Sequence, residues 1–408
     1  ALPILIILYL EKIIKAKKNI EDVVIKTPLI YSEVFSRKSG NQVYMKCENL
    51  QLTGAYKIRG ALNKIRSLSD EEKSKGVVCS SAGNHAQGVA FAASQANVKS
   101  TIVMPKTTPL LKIQSTKDLG GNVVLSGYVY DDAFNEAKRI EQEQGALFIH
   151  PFNDIDVICG QGTVALEIFE DLNDVDIILC PIGGGGLISG VTLAAKALNP
   201  NVKVIGVQAE GANAMVKSFK AGEIIALDAV DTIADGIAVK RPGDLTFKFI
   251  KEYVDDIITV SDHEIVEAFF TLSEKHKLLA EASGAVSLAA SAKLNCKDKN
   301  IVSVISGGNI DMVTITSLIN SALVAKGRLF GFSLEVPHKP GQILKIAKVL
   351  ADTNANIVKL EHDHFKARDA LKNMVIEVTL ETNGHSHIEE IKKALTDQNY
   401  VIKIGRAS

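Results

Sequence analysis

The sequence predicts an α/β protein with mostly parallel sheets, followed by a smaller α+β module of ferredoxin-like plan. Three observations carry this. Short, branched apolar runs alternate with helical patterns from about residue 42 to residue 305. Several of those runs end in polar or glycine-rich loops, the places where open sheets bind ligands. After about Arg328 the rhythm changes to βαββαβ within about seventy residues.

Taken in order, residues 11–22 have an amphipathic helical pattern, and Thr27-Pro28-Leu29 is a turn leading inward. Residues 42–47 alternate like a strand. The stretch 48–65, ENLQLTGAYKIRGALNKI, passes from polar and glycine positions into a helical pattern at about Lys57. A lysine at a helix start faces the positive end of the helix dipole, which lowers its pKa. Such a lysine is a candidate Schiff-base former, although spacing alone favours an exposed surface lysine. Residues 76–79 read as a buried strand running into SSAGNHAQGVA, residues 80–90, with a helix behind it. Ser80, Ser81, Gly83 and Asn84 there offer donors that suit a carboxylate. His85 is a base or, the favoured reading, a packed histidine capping the helix. Strands at 101–104, 123–125 and 147–149 then alternate with helices from Thr108 and Asp131.

Residues 175–197, VDIILCPIGGGGLISGVTLAAKA, are the stretch around which the chain is organised. A buried strand leads into Gly183, Gly184, Gly185 and Gly186, and an alanine-rich helix begins at Leu187. Four glycines put no side chain between backbone and ligand. Their N–H groups and the positive end of the next helix favour a bound phosphate. A glycine pair would read as a flexible turn; four glycines between strand and helix favour an anion cradle. No GK[ST] follows, the spacing is not G-x-G-x-x-G, and no ribose-binding acid stands at the right distance. The phosphate therefore belongs to something smaller than a dinucleotide. A strand at 202–208, a helix near 212–220, a loop through Asp235-Gly236 and helices at 263–276 and 284–294 follow. A strand at 301–305 ends in Ser306-Gly307-Gly308-Asn309. In the C-terminal module, strands at 332–336, 357–362, 373–380 and 401–404 flank helices at 342–352 and 388–396. Such a module also serves for plain dimerisation.

At 408 residues, 46% apolar and 23% charged, two or three domains with large cores are expected. A net charge of -1 leaves no basic field for nucleic acid and no polybasic membrane patch. Cys47, Cys79, Cys159, Cys180 and Cys296 are scattered without a C-x-x-C pair. Neither a disulfide framework nor a zinc site is expected, which fits a reducing cytoplasm. The opening ALPILIILYL has no basic residues before it and no small-residue cleavage site after it, against a signal peptide. It is shorter than the about 20 residues that span a bilayer. It is expected to pack on the domain or on a partner subunit, or to be an altered start of the chain.

The motifs TGAYKIRG (53–60), SAGNHAQG (81–88), GGGGL (183–187) and SGGN (306–309) together resemble the threonine dehydratases, or threonine ammonia-lyases. These are fold-type II (tryptophan synthase β-like) pyridoxal-phosphate enzymes. The likeness covers roughly residues 10–325, with Tyr56 where the family often has phenylalanine. The C-terminal module resembles an ACT domain. The resemblance implies a catalytic region at 1–327, with a small subdomain at about 45–150 inserted in a larger one, and a regulatory domain at 328–408. It implies that Lys57 holds pyridoxal phosphate covalently and that Gly183, Gly184, Gly185, Gly186 and Leu187 bind its phosphate. Asn84 would hydrogen-bond the ring hydroxyl and Ser306 would face the pyridine nitrogen. Ser81, Ala82, Gly83, Asn84 and His85 would receive the substrate carboxylate, largely through backbone donors. Glu281, in EASGA, would sit near the ring.

These roles imply a reaction. A hydroxyl facing the pyridine nitrogen cannot protonate it as an aspartate would, so the electron sink is weak. Loss of a β-leaving group relieves the charge, which favours β-elimination over transamination. L-threonine would lose its Cα proton to Lys57 and its β-hydroxyl as water, with the cofactor phosphate as proton donor. Aminocrotonate would then hydrolyse to 2-oxobutanoate and ammonia. Related serine racemases carry a serine where Ala82 stands, and a methyl group moves no proton, so racemisation is expected to be slight. They also bind a divalent cation; Glu210 and Ala214 match that pattern, but Val216 replaces the second carboxylate, and no metal is expected. The ACT-like domain implies an amino-acid effector, isoleucine or valine, and a homotetramer or homodimer. A serine dehydratase, a serine racemase-like enzyme and a β-replacing synthase are the enzymatic alternatives; a pyridoxal-phosphate-fold amino-acid sensor is the non-enzymatic one.

Overall fold

The computed structural model describes residues 4–363 and 372–404. The chain divides into two compact units, Ala1–Ile310 and Asp311–Ser408. Residues 1–3 of the apolar opening lie outside the described residues.

Ten strands build the first unit: β1 (Leu29–Tyr31), β2 (Gln42–Cys47), β3 (Val77–Ser80), β4 (Ser100–Met104), β5 (Asn122–Leu125), β6 (Leu147–Phe148), β7 (Ile177–Pro181), β8 (Lys203–Ala209), β9 (Asp256–Val260) and β10 (Asn300–Ile305). They form two sheets. The larger runs β1-β2-β10-β7-β8-β9 and is parallel except for β1, which pairs antiparallel with β2. The smaller runs β5-β4-β3-β6 and is wholly parallel. Its strands are apolar on both faces, as a sheet covered on both sides requires. Val77, Cys79, Ile102 and Met104 face a core shared with the helices Lys57–Arg66 and Asn84–Gln95. Val78 and Val103 point the other way, onto Ala133, Ala137 and Ile140 of the helix Tyr130–Gln144.

Three helices stack through glycines. A Cβ on Gly160 would lie 2.5 Å from the Arg59 carbonyl oxygen and 2.6 Å from Gly60 Cα. One on Gly190 would lie 2.2 Å from the Ile158 carbonyl oxygen. The helices Lys57–Arg66, Ile155–Asp171 and Gly186–Leu198 therefore approach almost to backbone contact, which fixes the Lys57 helix relative to the glycine loop.

The helix Ile155–Asp171 has no amphipathic stripe to betray it, because nearly all of it is buried. The helix Asp244–Tyr253 and strand β9 likewise lie outside the sequence expectations. Where one helix is expected over 263–276, the α-helix stops at Thr271. A π-helical turn, Leu272–His276, follows, closed by Lys277 in the left-handed region (φ +57°). The helix expected from residue 284 begins two residues earlier, at Ala282, which makes Glu281 its N-cap. The helix Ile4–Ile20 buries Ile6, Ile13, Ala16 and Ile20 in this unit and leaves Leu5, Ile7, Leu8 and Ile14 exposed. Among the described residues no helix is long and apolar enough to cross a membrane.

The second unit opens with a helix, Met312–Ala325. Strands β11 (Leu329–Pro337), β12 (Asn356–Asp363), β13 (Asn373–Glu381) and β14 (Ile402–Ile404) then make an antiparallel sheet ordered β12-β13-β11-β14. With the helices Gln342–Asp352 and His385–Asp397 in the crossovers, this is the ferredoxin-like βαββαβ arrangement. Alternate residues of the central strands, Phe330, Phe332, Leu334 and Val336 with Met374, Ile376, Val378 and Leu380, make its core.

Candidate active site

Lys57 is the first residue of its helix. Its ammonium group donates to the Pro151 carbonyl at 2.8 Å and stands 5.3 Å from the centre of the Tyr56 ring. Burial lowers its pKa to about 8, and the Glu281 carboxylate opposes that shift. Desolvation thus acts in the same direction as the helix dipole anticipated from sequence.

The glycine loop joins β7 to the helix Gly186–Leu198. Gly185 sits at φ +99°, a conformation open to glycine, and caps the helix without any side-chain hydrogen bond. The first-turn N–H groups are left for a ligand. Phe152 lies against this loop: a Cβ on Gly184 would be 2.4 Å from its ring, and one on Gly186 would be 2.9 Å from its Cα. Thr246 donates its hydroxyl to the Gly184 carbonyl at 2.6 Å, which pins that carbonyl.

The third loop, at the end of β3, enters the helix Asn84–Gln95. A Cβ at Gly83, which caps this helix without a side-chain bond, would meet open space. The Ser81 hydroxyl accepts the Gly83 N–H at 3.3 Å. Ala82 is half-buried and packs on the small-sheet core. The His85 ring is buried, and its Nε2 lies 2.9 Å from the Ile149 carbonyl, to which it donates. Burial, reinforced by the Lys57 charge, pushes its pKa down to about 3, so His85 is neutral and the donor it offers a ligand is its backbone N–H.

Asn84 is held from both ends. Its Nδ2 donates to Glu281 Oε1 at 2.6 Å, and its Oδ1 accepts from Asn309 Nδ2 at 2.8 Å. Burial, with the Asp235 carboxylate nearby, raises the Glu281 pKa to about 7, while the Asn84 bond works against it. Ser306 is buried; its hydroxyl donates to the Ser283 carbonyl at 3.4 Å, and its carbonyl accepts the Tyr56 N–H at 3.1 Å. An isolated bridge between Ala55 and Gly307 ties the same two segments together. Lys57, Asn84, Glu281 and Ser306 thus belong to one connected set of contacts.

Two features lie outside the sequence expectations. The turn after β6, His150-Pro151-Phe152-Asn153, joins the lysine to the glycine loop, since Pro151 holds the amine and Phe152 packs on Gly184. A histidine-proline pair at the C-terminal end of a parallel strand was the available clue. The Asn84–Glu281 bond joins residues 197 positions apart. Among the described residues no cluster of three or more His, Cys, Asp or Glu could hold a metal ion.

These residues fit pyridoxal phosphate. A half-buried amine of lowered pKa suits an aldehyde, and an uncapped glycine-led helix suits a phosphate. The comparisons agree. Residues 20–307 match the family of pyridoxal-phosphate dependent enzymes. An L-threonine ammonia-lyase of Thermotoga maritima is 47% identical over 97% of this chain and 99% of its own. Among solved structures, the processed form of threonine deaminase isoform 2 from Solanum lycopersicum matches 78% of this chain and 88% of its own, at 40% identity and a TM-score of 0.76. Maize serine racemase matches 78% of this chain and 98% of its own, at 39% identity and a TM-score of 0.73. By its site and by its sequence, the chain belongs to the pyridoxal-phosphate dependent enzymes.

Proposed function

We propose that this protein is an L-threonine ammonia-lyase, converting L-threonine to 2-oxobutanoate and ammonia by α,β-elimination. The observation that carries the reading is the Lys57 amine, half-buried and of lowered pKa, set between an anion-binding glycine loop and the Ser81–His85 donors. The agreement with the Thermotoga maritima L-threonine ammonia-lyase over nearly the whole of both chains supports it.

When bound, pyridoxal phosphate supplies an aldehyde that condenses with amines and a ring that draws electrons from Cα. The chain's own residues do the rest. Gly183, Gly184, Gly185, Gly186 and Leu187 hold the phosphate with backbone N–H groups. Asn84, fixed by Glu281 and Asn309, aligns the ring hydroxyl. The Ser306 hydroxyl meets the ring nitrogen without an ionised partner, which disfavours chemistry that needs a long-lived carbanion. The N–H groups of Ser81 to His85 receive the substrate carboxylate, and Lys57 takes the Cα proton. The Ala82 methyl supplies no acid or base on the opposite face, so little racemisation accompanies elimination.

The reading extends to regulation. The second unit binds an amino acid, isoleucine or valine, and the enzyme is a cytoplasmic homotetramer or homodimer. A cavity of about 650 Å³ in that unit, lined among others by His338, Gly341, Leu344, His362 and Met374, has room for one.

The test is release of 2-oxo acid from L-threonine, L-serine and O-acetylserine, with and without isoleucine. Borohydride reduction and peptide mapping accompany it. Turnover fastest on threonine, with a pyridoxyl group on the Lys57 peptide, is expected. Threonine turnover with no adduct on that peptide would overturn the reading.

A further inference from the structure

His150 stands outside every role assigned above, yet it belongs to the turn that holds Lys57. Its Nδ1 accepts two backbone N–H groups, from Asn153 at 2.8 Å and from Phe152 at 3.2 Å. A proton on Nδ1 would collide with both donors. The ring is therefore neutral, with its one proton on Nε2. Two aromatic rings fix its plane: Phe152 edge-on at 4.7 Å between centres and Phe148 at 6.1 Å. Burial and the Lys57 charge lower its pKa to about 4, in keeping with the hydrogen-bond geometry.

Nε2 itself has no hydrogen-bond partner among the described residues, and it is not one of the sealed, unpartnered buried atoms. A donor of fixed tautomer is thus left open in the turn whose next residue binds the catalytic amine at 2.8 Å. L-threonine brings three polar groups. The Ser81–His85 loop accounts for the carboxylate, and the cofactor for the amine. The β-oxygen has only the cofactor phosphate that would protonate it, and no side chain assigned above meets it.

We propose that His150 is a substrate-positioning residue whose Nε2–H donates a hydrogen bond to the β-oxygen that leaves Cβ. This rests on the elimination reaction proposed above. The histidine gives up no proton: the hydroxyl would leave as water with a proton from the cofactor phosphate, and the proton that Lys57 takes from Cα would make up that loss. It orients the Cβ–O bond and stabilises the electron pair that collects on oxygen as that bond breaks. A neutral donor does so without adding positive charge beside Lys57, which holds the Cα proton at that moment.

Two substitutions separate this role from the support of the turn. His150→Asn keeps an acceptor where Nδ1 lies and loses the Nε2 donor; His150→Gln keeps a donor at Nε2 reach and loses the acceptor. Each holoenzyme is assayed on L-threonine and on β-chloro-L-alanine, whose chloride leaves without a proton or a donor. Binding of L-alanine, which has no β-oxygen, is read from the cofactor absorption. His150→Asn is expected to lower kcat on threonine by about 10- to 100-fold. Its rate on chloroalanine and its Kd for L-alanine should stay within about twofold of wild type, and His150→Gln should recover part of the threonine rate. Equal losses on both substrates, weakened L-alanine binding, or no loss on threonine would each overturn the proposal. The wild-type rate on threonine tests the reaction itself, independently of the ratio between substrates.

Discussion

Two buried polar clusters flank the same short helix and differ in one respect: how completely their charges are answered. Arg59 and Lys46 are fully buried with Glu48 and Glu167. Arg59 makes two bonds to Glu48 (both 2.8 Å) and two to Glu167 (2.7 and 2.9 Å). Lys46 completes the set with Glu167 Oε2 and the Thr27 carbonyl, both at 2.6 Å. Two cations meet two anions, and every charge is paired. Burial alone would push the Glu48 carboxyl up, but Arg59 and Lys46 overcome it and hold it below the usual carboxylate range. Two residues before Arg59, Lys57 has a carbonyl for a partner, and the Glu281 carboxylate is the charge that opposes its shift. The consequence is a lysine drawn toward neutrality and a Glu281 drawn toward protonation near pH 7. A saturated cluster builds the fold; a starved one keeps its protons mobile and does chemistry.

The largest effect expected from this contrast is at Lys57. Lys57→Ala should lower 2-oxobutanoate release by about 10⁴-fold or more, since the amine is both cofactor anchor and base. The protein should still unfold at a urea midpoint no lower than that of the cofactor-free wild type, because an under-compensated buried amine is being removed. A clearly lower midpoint would mean that Lys57 belongs to the structural cluster after all.

Arg59→Met should do the reverse. It leaves the buried Glu48 carboxylate without a bonded cation and Glu167 with Lys46 alone, for a loss of about 3–5 kcal/mol in urea unfolding of the cofactor-free protein. Glu167→Gln should give a smaller loss, since Lys46 keeps the Thr27 carbonyl and Arg59 keeps Glu48. If Arg59→Met unfolds like wild type, pairing is not what distinguishes the two clusters.

The cradle can be tested sterically. Gly184→Ala places a Cβ 2.4 Å from the Phe152 ring. The overpacking should cost about 1–3 kcal/mol of stability, and displacement of the loop should weaken cofactor binding about 10- to 100-fold, or ~1.4–2.7 kcal/mol. Phe152→Leu in the same chain should restore part of the affinity, measured by titration of the cofactor-free protein. Without that rescue, Phe152 does not set the loop's position.

The comparison also explains what the sequence discloses. Gln42–Cys47 and Gln342–Asp352 match their expected bounds because their apolar periods are clean and their ends are marked. Residues 155–171 disclose nothing, since a helix buried all round has no stripe. The break at Thr271 is hidden because Lys277, not a glycine or proline, closes the turn. Within the site, the glycine loop stands out because its chemistry is local, whereas Lys57 is read from the TGAYKIRG motif, since spacing alone favours a surface lysine. Glu281 and His150 do not, since their character comes from distant neighbours: Asn84 lies 197 positions from Glu281, and Lys57, which acts on His150, lies in a helix far back in the chain. The Lys46–Glu48–Arg59–Glu167 cluster is invisible for the same reason. Its four charges look like ordinary surface residues until the helix Ile155–Asp171 brings Glu167 under Arg59.

The smallest effect is the most direct reading of the electrostatics. Only a neutral amine attacks an aldehyde, so cofactor capture by the cofactor-free protein reports the protonation of Lys57. The capture rate constant should rise with pH through about 8 and then level off, whereas an ordinary lysine would go on rising toward 10.5. Glu281 sharpens the measurement. With its pKa near 7, it is mostly ionised at pH 8, where its negative charge favours the ammonium form and holds the Lys57 value up. Glu281→Gln removes that charge while keeping an acceptor for Asn84 Nδ2. The midpoint should therefore move to lower pH, and capture at pH 7 should be faster than in wild type. An unmoved midpoint would show that Glu281 is protonated in the working range, and that the lysine owes its lowered pKa to burial unopposed.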